Sequence, residues 1–517
     1  MNSSSRILIN TISLYIKLIV TIVINLLLVR IVLAKLGVDD YGIYTLIAGV
    51  VALLSFLNSA LMSSSQRFLS VALGEGDTDK VNMIMSSSVI IHLAFGVILV
   101  LILELVEPLL FDKIINVATE RLSVARKVYQ IMIVSTVLTV VAVPYNALIN
   151  AREDMWFFAI VEIVVALMKL FIVYLFNHIS FDALLLYTVW VFVVTLFGIL
   201  LKVVWCFIKY KESRSRLSIR GNKSMFKSLL SFTGWNALGS LAQTGRNQGV
   251  VLTINHFFGT AISAVFGIAN QMDGNLVYFS QMLTAAVSPQ IMKSYGQGDT
   301  SRMLRLSVFT SKMAFFLSGF IALPILIEMP FVLDIWLKDV PPYSVTYCRL
   351  VLVVFLIMQL YPGLVRAIQA TGDIKWYQIG QSILLLLPIP LGILLYKWNY
   401  VNYSIVYLMV VAQVLMMIYT LFVARNKAGL DVKTFSLFVI KSVILFSVSV
   451  AIGYFIHHYL SGQCNSFLLL VIITFFSGLV FIVPYFFWVY NSHEKRVIKE
   501  KVDSIIKRFS LFSFVKS

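Results

Sequence analysis

Long apolar stretches separated by short polar loops dominate the chain from end to end. A bilayer core needs about 20 apolar residues per helix. That ruler predicts about fourteen spanning helices, near 8–34, 41–62, 84–110, 127–150, 155–177, 183–208, 228–257, 261–285, 305–330, 345–369, 376–397, 402–424, 435–459 and 467–490. The seventh and eighth are the least apolar, being rich in Asn, Gln, Gly and Ser. The expected fold class is all-α integral membrane.

Composition agrees. Of 517 residues, 60% are hydrophobic and only 13% charged, whereas a soluble domain carries roughly 25% charged residues. The net charge of +17 is spread over short loops, which is the footprint of membrane insertion rather than of nucleic-acid binding. With a cytoplasmic N-terminus, the inner segments hold roughly 26 Lys and Arg and the outer ones roughly 7. Both termini are therefore expected inside a bacterial cytoplasmic membrane. The densest inner segment carries Lys209, Lys211, Arg214, Arg216, Arg220, Lys223 and Lys227, and the loop holding Lys113, Arg121, Arg126 and Lys127 dissents. After Asn491 the tail is basic again: it is either an amphipathic helix on anionic lipid or a solvated end. The first apolar run is too long for a signal-peptide core. Cys206, Cys348 and Cys464 lie far apart, so neither a zinc site nor a disulfide framework is expected.

The chain repeats itself. Gly-Glu-Gly-Asp-Thr-Asp-Lys at 74–80 matches Gly-Gln-Gly-Asp-Thr-Ser-Arg at 296–302, an offset of 222. At the same offset Leu36-Gly37 matches Phe258-Gly259, and Ala151-Arg152-Glu153-Asp154 corresponds to Ala370-Thr371-Gly372-Asp373 at 219. The unit is six helices. An even number makes the halves parallel, so their relating axis runs along the membrane normal. This predicts a lobe over 1–210, a basic linker over 211–227, a second lobe over 228–424, two further helices over 435–490 and a tail over 491–517. A cleft between two such lobes is an architecture for alternating access.

Polar residues at a spacing of three or four mark a helix face that meets water. The first span has Ser13, Lys17, Thr21 and Asn25; the seventh has Asn236, Ser240, Gln243 and Asn247. The second adds Ser55, Asn58 and Gln66, and the eighth Asn270, Gln271, Asp273 and Asn275. For any single amide, helix-to-helix bonding is the simpler account; two repeat-related stripes favour a cavity. Charges near mid-span are Lys17, Glu162, Lys169, Arg246 and Asp273. Each costs about 2.5–3.5 kcal/mol on insertion scales, so each needs water, a partner or a substrate. Glu162 and Lys169 share a helix face and either neutralise each other or serve a ligand. Arg246 and Asp273 are either a buried pair or part of a net-positive cavity. Arg30, Arg67 and Arg366 lie toward span ends and either snorkel or, for Arg67 and Arg366, guard the inner mouth. His92 reads as a packed histidine and His457-His458 as interfacial. Pro144, Pro289, Pro324, Pro362, Pro388 and Pro390 mark helix bends. No phosphate-loop, zinc-protease or serine-hydrolase motif occurs.

Leu36-Gly37-Val38-Asp39-Asp40-Tyr41-Gly42-Ile43-Tyr44, Ser64-Ser65-Gln66-Arg67-Phe68 and the Gly-x-Gly-Asp loops resemble polysaccharide-export flippases of the MOP superfamily, the Wzx-type group. The resemblance covers nearly the whole chain. It implies a V-shaped cavity between two six-helix lobes and, as cargo, an undecaprenyl-pyrophosphate-linked O-antigen or capsule repeat unit. No cofactor is implied; energy is expected from a proton or sodium gradient or from the membrane potential. Expected partners are the lipid-linked oligosaccharide, membrane lipids and other polysaccharide-assembly proteins, with the transporter itself a monomer and no nucleic acid bound. In this reading Lys17 and Arg246 hold the pyrophosphate, with Asn25, Gln243, Asn247, Asn270 and Asp273 around it. The drug-exporting MATE branch is the rival; its cation-coupling acid in the first helix has no match here. A sugar polymerase or ligase is disfavoured because the longest outer loop, about 17 residues, is too short for a catalytic domain.

Overall fold

The structure is a computed structural model and describes residues 3–52, 55–111, 117–172, 175–176, 181–214, 223–337, 339–463, 465–496 and 499. Cys464, residues 215–222 of the basic linker and most of the tail lie outside the described residues. Among those described, the regular structure is helical: α1 (Ser3–Ala52), α2 (Ser55–Glu75), α3 (Thr78–Leu109), α4 (Leu122–Val141), α5 (Val143–Ala151), α6 (Met155–Leu170), α7 (Ala183–Lys209), α8 (Lys223–Gly296), α9 (Thr300–Ile327), α10 (Met329–Leu337), α11 (Ser344–Gln359), α12 (Pro362–Thr371), α13 (Lys375–Leu386), α14 (Pro388–Lys397), α15 (Ser404–Ala428), α16 (Val432–Leu460) and α17 (Ser466–Trp488).

Among the described residues, ten helices suit a membrane crossing by length and hydropathy, or eleven when the pair α11 and α12, bent by 46°, is taken as one span. This is fewer than the fourteen expected, and the reasons are local. The stretch α8 is 74 residues long, about 110 Å at 1.5 Å per residue, several bilayer thicknesses, yet it counts once. It is broken at Gly259 (φ 80°), as α1 is at Gly37 (φ 78°). With ψ of −176° at Gly259 and 173° at Gly37, these are positive-φ extended conformations, essentially restricted to glycine and costing an L-residue about 1–3 kcal/mol, which is why the repeat places glycine at both points. The polar α2 and the 16-residue α6 fall outside the count.

Side-chain exposure shows what surrounds the helices. Leu105 is 79% exposed and Phe455 72%, and dozens of other large apolar side chains are turned outward with them. Monomeric soluble proteins rarely expose apolar patches of more than a few hundred Å²; hydrocarbon accepts them. The protein is a multi-pass helical membrane protein. Pro144, Pro362 and Pro388 each open a new helix, whereas Pro289 and Pro324 stay inside α8 and α9.

The chain forms two compact units. Unit 1 comprises residues 1–244, 285–303 and 369–382; unit 2 comprises 245–284, 304–368 and 383–517. The partition does not follow the linker, because the loop ends of the second repeat are bound to the first. In unit 1, Tyr129, Ile47 and Leu184 centre one apolar cluster, and Leu69, Ile84 and Ala147 another. In unit 2, Phe266, Tyr347 and Phe355 are fully buried at the centre of a third.

The repeat is visible in the backbone of unit 1. Gly76 and Gly298 both have φ of 75°. Asp77 caps α3 by accepting from the Lys80 amide at 2.9 Å, and Asp299 caps α9 by accepting from the Arg302 amide at 2.8 Å. Glu153 (φ 64°) and Gly372 (φ 83°) share the left-handed conformation at the 219 offset.

Candidate functional site

In unit 1 the membrane-depth charges gather around one aromatic ring. Lys17 from α1 and Lys202 from α7 sit over Phe158 of α6, with ammonium nitrogens 5.1 and 4.9 Å from the ring centre. Lys202 donates to Glu162 at 2.9 Å. For Glu162 and Lys169, two helical turns apart on α6, mutual neutralisation was one of two open readings; Glu162 forms its ion pair with Lys202 instead, and Lys169 feels that carboxylate only from a distance. Three ammoniums thus share one carboxylate, and Lys17 and Lys169 are close enough to act on it electrostatically. Lys202 was overlooked although the depth argument that singles out Lys169 applies equally to it. Asn25 is exposed and lines a cavity of about 230 Å³ with Lys169.

In unit 2, Arg246 is buried, 6% exposed. Its guanidinium donates to the side-chain oxygen of Asn247 at 3.1 and 3.2 Å. Asp273, half-buried, acts on it electrostatically, as does Tyr361, and Tyr361 is itself bonded to Gln413 of α15. The two expected accounts of Arg246 and Asp273 therefore meet halfway: they are neighbours in charge, while the direct hydrogen bond to Arg246 comes from Asn247. Tyr361 and Gln413 escaped the sequence reading because they lie on the tenth and twelfth predicted spans, away from the polar stripes of the first, second, seventh and eighth. Asn270 and Gln243 are half-buried.

The polar stripe of the seventh span divides by role. Asn236 is buried, donates to the Phe232 carbonyl at 3.2 Å and accepts from Gln378 at 3.0 Å. It knits helices together. His92 is fully buried and bonds the Ser88 carbonyl at 2.6 Å, as a packed histidine should. His457 is paired with the buried Glu328 at 2.5 Å. Lys312, a further membrane-depth lysine absent from the sequence reading, is held by Glu494 at 2.8 Å.

Arg67 does not stand at an open mouth. It is buried, stacks on Phe68 and Phe232, and donates to the Ala370 carbonyl at 3.0 and 3.3 Å. The reason is packing: Gly372 leaves no Cβ, and one placed there would lie 2.4 Å from the guanidinium. Arg366 is half-buried in unit 2. Across the same region the Glu153 carboxylate accepts from Lys293 and Gln290, and the Glu153 carbonyl accepts from Asn10 at 2.9 Å. Each repeat's α2-type helix end therefore grips the other repeat's loop. The helix ends also interlock: a Cβ on Gly74 would lie 2.3 Å from the Lys293 carbonyl oxygen, and one on Gly296 would lie 2.1 Å from that of Val71. Residues 71 and 74 plus 222 are 293 and 296, so the contact is reciprocal, as a two-fold relation requires.

No family model and no curated protein matches the chain. Solved structures do. A crystal structure of a MATE point mutant superposes with a TM-score of 0.72 at 14% identity, covering 84% of this chain and 97% of that one. An outward-facing multidrug-resistance MATE family transporter of the MOP superfamily gives 0.71 at 14%, covering 83% and 96%. The fold is that of MATE transporters of the MOP superfamily. A MOP superfamily transporter from Pyrococcus furiosus, described as having a binding pocket of reverse polarity that suggests a different function, gives 0.71 at 14%, covering 84% and 97%. At this identity the MATE-like likeness speaks for fold alone. Within that fold, α1 bears Lys17 and no acid before Gly37.

Proposed function

We propose that this chain is a transporter of the flippase type, moving an undecaprenyl-pyrophosphate-linked oligosaccharide from the inner to the outer leaflet of a bacterial cytoplasmic membrane, with both termini inside. The observation that carries the reading is the charge balance at membrane depth: in unit 1 three lysines share the one carboxylate of Glu162, while in unit 2 the buried Arg246 has Asp273 as its neighbour in charge. Uncompensated cations in hydrocarbon are costly, and an anionic cargo repays that cost. Arginine offers phosphate a planar fork and lysine a point charge. A Pyrococcus furiosus transporter of this fold is itself described as having a binding pocket of reverse polarity that suggests a different function. An inside-negative potential drives anions outward with about 2.3 kcal/mol per charge per 100 mV, so membrane potential contributes to flipping beside any coupled proton or sodium ion. Partners are the lipid-linked oligosaccharide and the proteins that polymerise it; the transporter acts as a monomer.

The second reading, an ion-coupled multidrug exporter, is favoured by the multidrug-resistance description of one fold neighbour. Gene deletion separates the two. Loss of a surface polysaccharide with lipid-linked oligosaccharide trapped on the inner leaflet supports the flippase. Normal surface glycan with raised drug sensitivity overturns it.

A further inference from the structure

We propose that unit 1 contains a pocket for one acidic sugar ring of the hexuronate class, walled by Tyr41, Tyr44 and Tyr187 and selected by Lys169. The proposal rests on the reading of the chain as a carrier of oligosaccharide and specifies one residue of that cargo. The cavity lies at the end of unit 1 where α1 breaks at Gly37, and its volume is about 230 Å³. Pockets for drug-sized ligands run roughly 300–1,000 Å³, so the space admits one ring rather than a chain.

The lining matches a sugar acid part by part. Tyr44 and Tyr187 have ring centres 4.9 Å apart and their hydroxyls are bonded to each other, which fixes both rings. Aromatic faces cover the apolar C–H surface of a sugar, and a hydroxyl already engaged in one bond keeps lone-pair capacity for a second polar contact. Asn25 adds an amide able to donate and accept. Leu28, Val29 and Val191 close the remainder with apolar surface.

Lys169 sets the charge of the ligand. It lines the cavity, and the nearest carboxylate on its own helix, Glu162, is held by Lys202 at 2.9 Å. The Trp190 indole donates to the Met168 carbonyl at 2.9 Å, anchoring the backbone immediately before Lys169. With a neutral sugar this ammonium would have only the share of Glu162 that reaches it beside Lys202, in low dielectric. A pyrophosphate would need several cations or an arginine fork, and the cavity offers one lysine. A single carboxylate on a single ring satisfies both limits.

The test uses the full chain purified in detergent and calorimetric titration with methyl β-D-glucuronide and methyl β-D-glucoside. The wild type is expected to bind the glucuronide about tenfold or more tightly than the glucoside, the range for a charge-assisted hydrogen bond. Lys169→Gln should erase the preference, Lys169→Arg should keep most of it, and Val191→Trp, which fills the cavity without altering charge, should abolish binding of both. Equal binding of the two sugars by the wild type overturns the proposal, as does a preference that survives Lys169→Gln. Should Lys169→Gln fail to fold, Lys169→Arg and Val191→Trp still decide it. Translocation is scored separately in proteoliposomes: translocation without glucuronide preference removes the pocket alone, and glucuronide preference without translocation leaves the pocket and removes the flippase reading.

Discussion

Substituting alanine at Gly74 or Gly296 tests the reciprocal contact between the repeats. A Cβ at these positions would stand 2.3 and 2.1 Å from backbone carbonyl oxygens of the other repeat, whereas comfortable carbon-to-oxygen contacts are about 3.3–3.6 Å. The helix ends must part by about 1 Å, and a gap of 0.5–1 Å forfeits roughly a quarter to a half of each van der Waals well across it. Overpacking of this kind costs about 1–3 kcal/mol. Alanine regains about 0.5–1 kcal/mol of helix propensity, so each single variant should lose about 0.5–2 kcal/mol. The informative quantity is the double variant. Once one alanine has parted the helices, the second finds the room already made, so the pair should cost little more than the worse single change, far from additivity. Thermal unfolding of the purified protein in detergent measures all three. Gly234→Ala and Gly267→Ala, where a Cβ meets nothing within 4 Å, are the controls and should be neutral or stabilising. Additive losses at 74 and 296, or losses no larger than at the control sites, would refute the interlock.

Glu153 holds a left-handed conformation while its carboxylate binds Lys293. Glu153→Gly should therefore be less damaging than Glu153→Ala by about 1–2 kcal/mol, the backbone cost that glycine relieves, as read from melting curves. Glu162→Gln strands three lysines and Lys202→Met strands one carboxylate. Each should deplete the folded protein, since breaking a buried pair costs about 3–5 kcal/mol and this part-buried pair somewhat less, and the double variant should recover part of the loss in membrane-abundance blots; equal depletion in single and double variants would refute the pairing. Arg246→Ala should leave abundance normal and abolish translocation, with Arg246→Lys a partial rescue; translocation at wild-type rate in Arg246→Ala would remove Arg246 from the cargo site. At the loop end, Arg121 binds Asp182 at 2.5 Å and also Asp40. Partial burial pushes the Asp182 carboxyl up, but the Arg121 bond and the Leu185 and Leu184 amides outweigh it and hold it below the usual 3.8. A depressed carboxylate stabilises above its unfolded pKa and loses that contribution as pH falls through its folded value. Asp182→Asn should thus cost up to about 1 kcal/mol at pH 7 and nothing at strongly acidic pH, measured by unfolding across pH.

What the sequence decided by itself is periodic or local. Hydropathy over about 20 residues announces a membrane helix because the bilayer acts on each segment independently. The repeat was legible because its turns need particular backbones: Gly37 with Gly259, and Gly76 with Gly298, share their positive φ values as their positions implied. The number of spans was less legible, since Gly259 divides one 74-residue helical stretch and α2 carries the polar run Ser63 to Arg67 in its middle turns. What only the tertiary structure decided is pairing. Lys169 and Lys202 are equivalent as lysines in apolar helices, and only packing of α7 on α6 gives Glu162 to Lys202. Arg67 looked like a mouth residue from its place near a span end. Its burial depends on Phe232 and Ala370, 165 and 303 residues away, and no local pattern encodes contacts at such separations. Asn236 and Asn25 read alike in their stripes, yet one bonds Gln378 and the other borders a cavity. A polar side chain at membrane depth must be satisfied somewhere; the sequence states the requirement, and the neighbouring helix states how it is met.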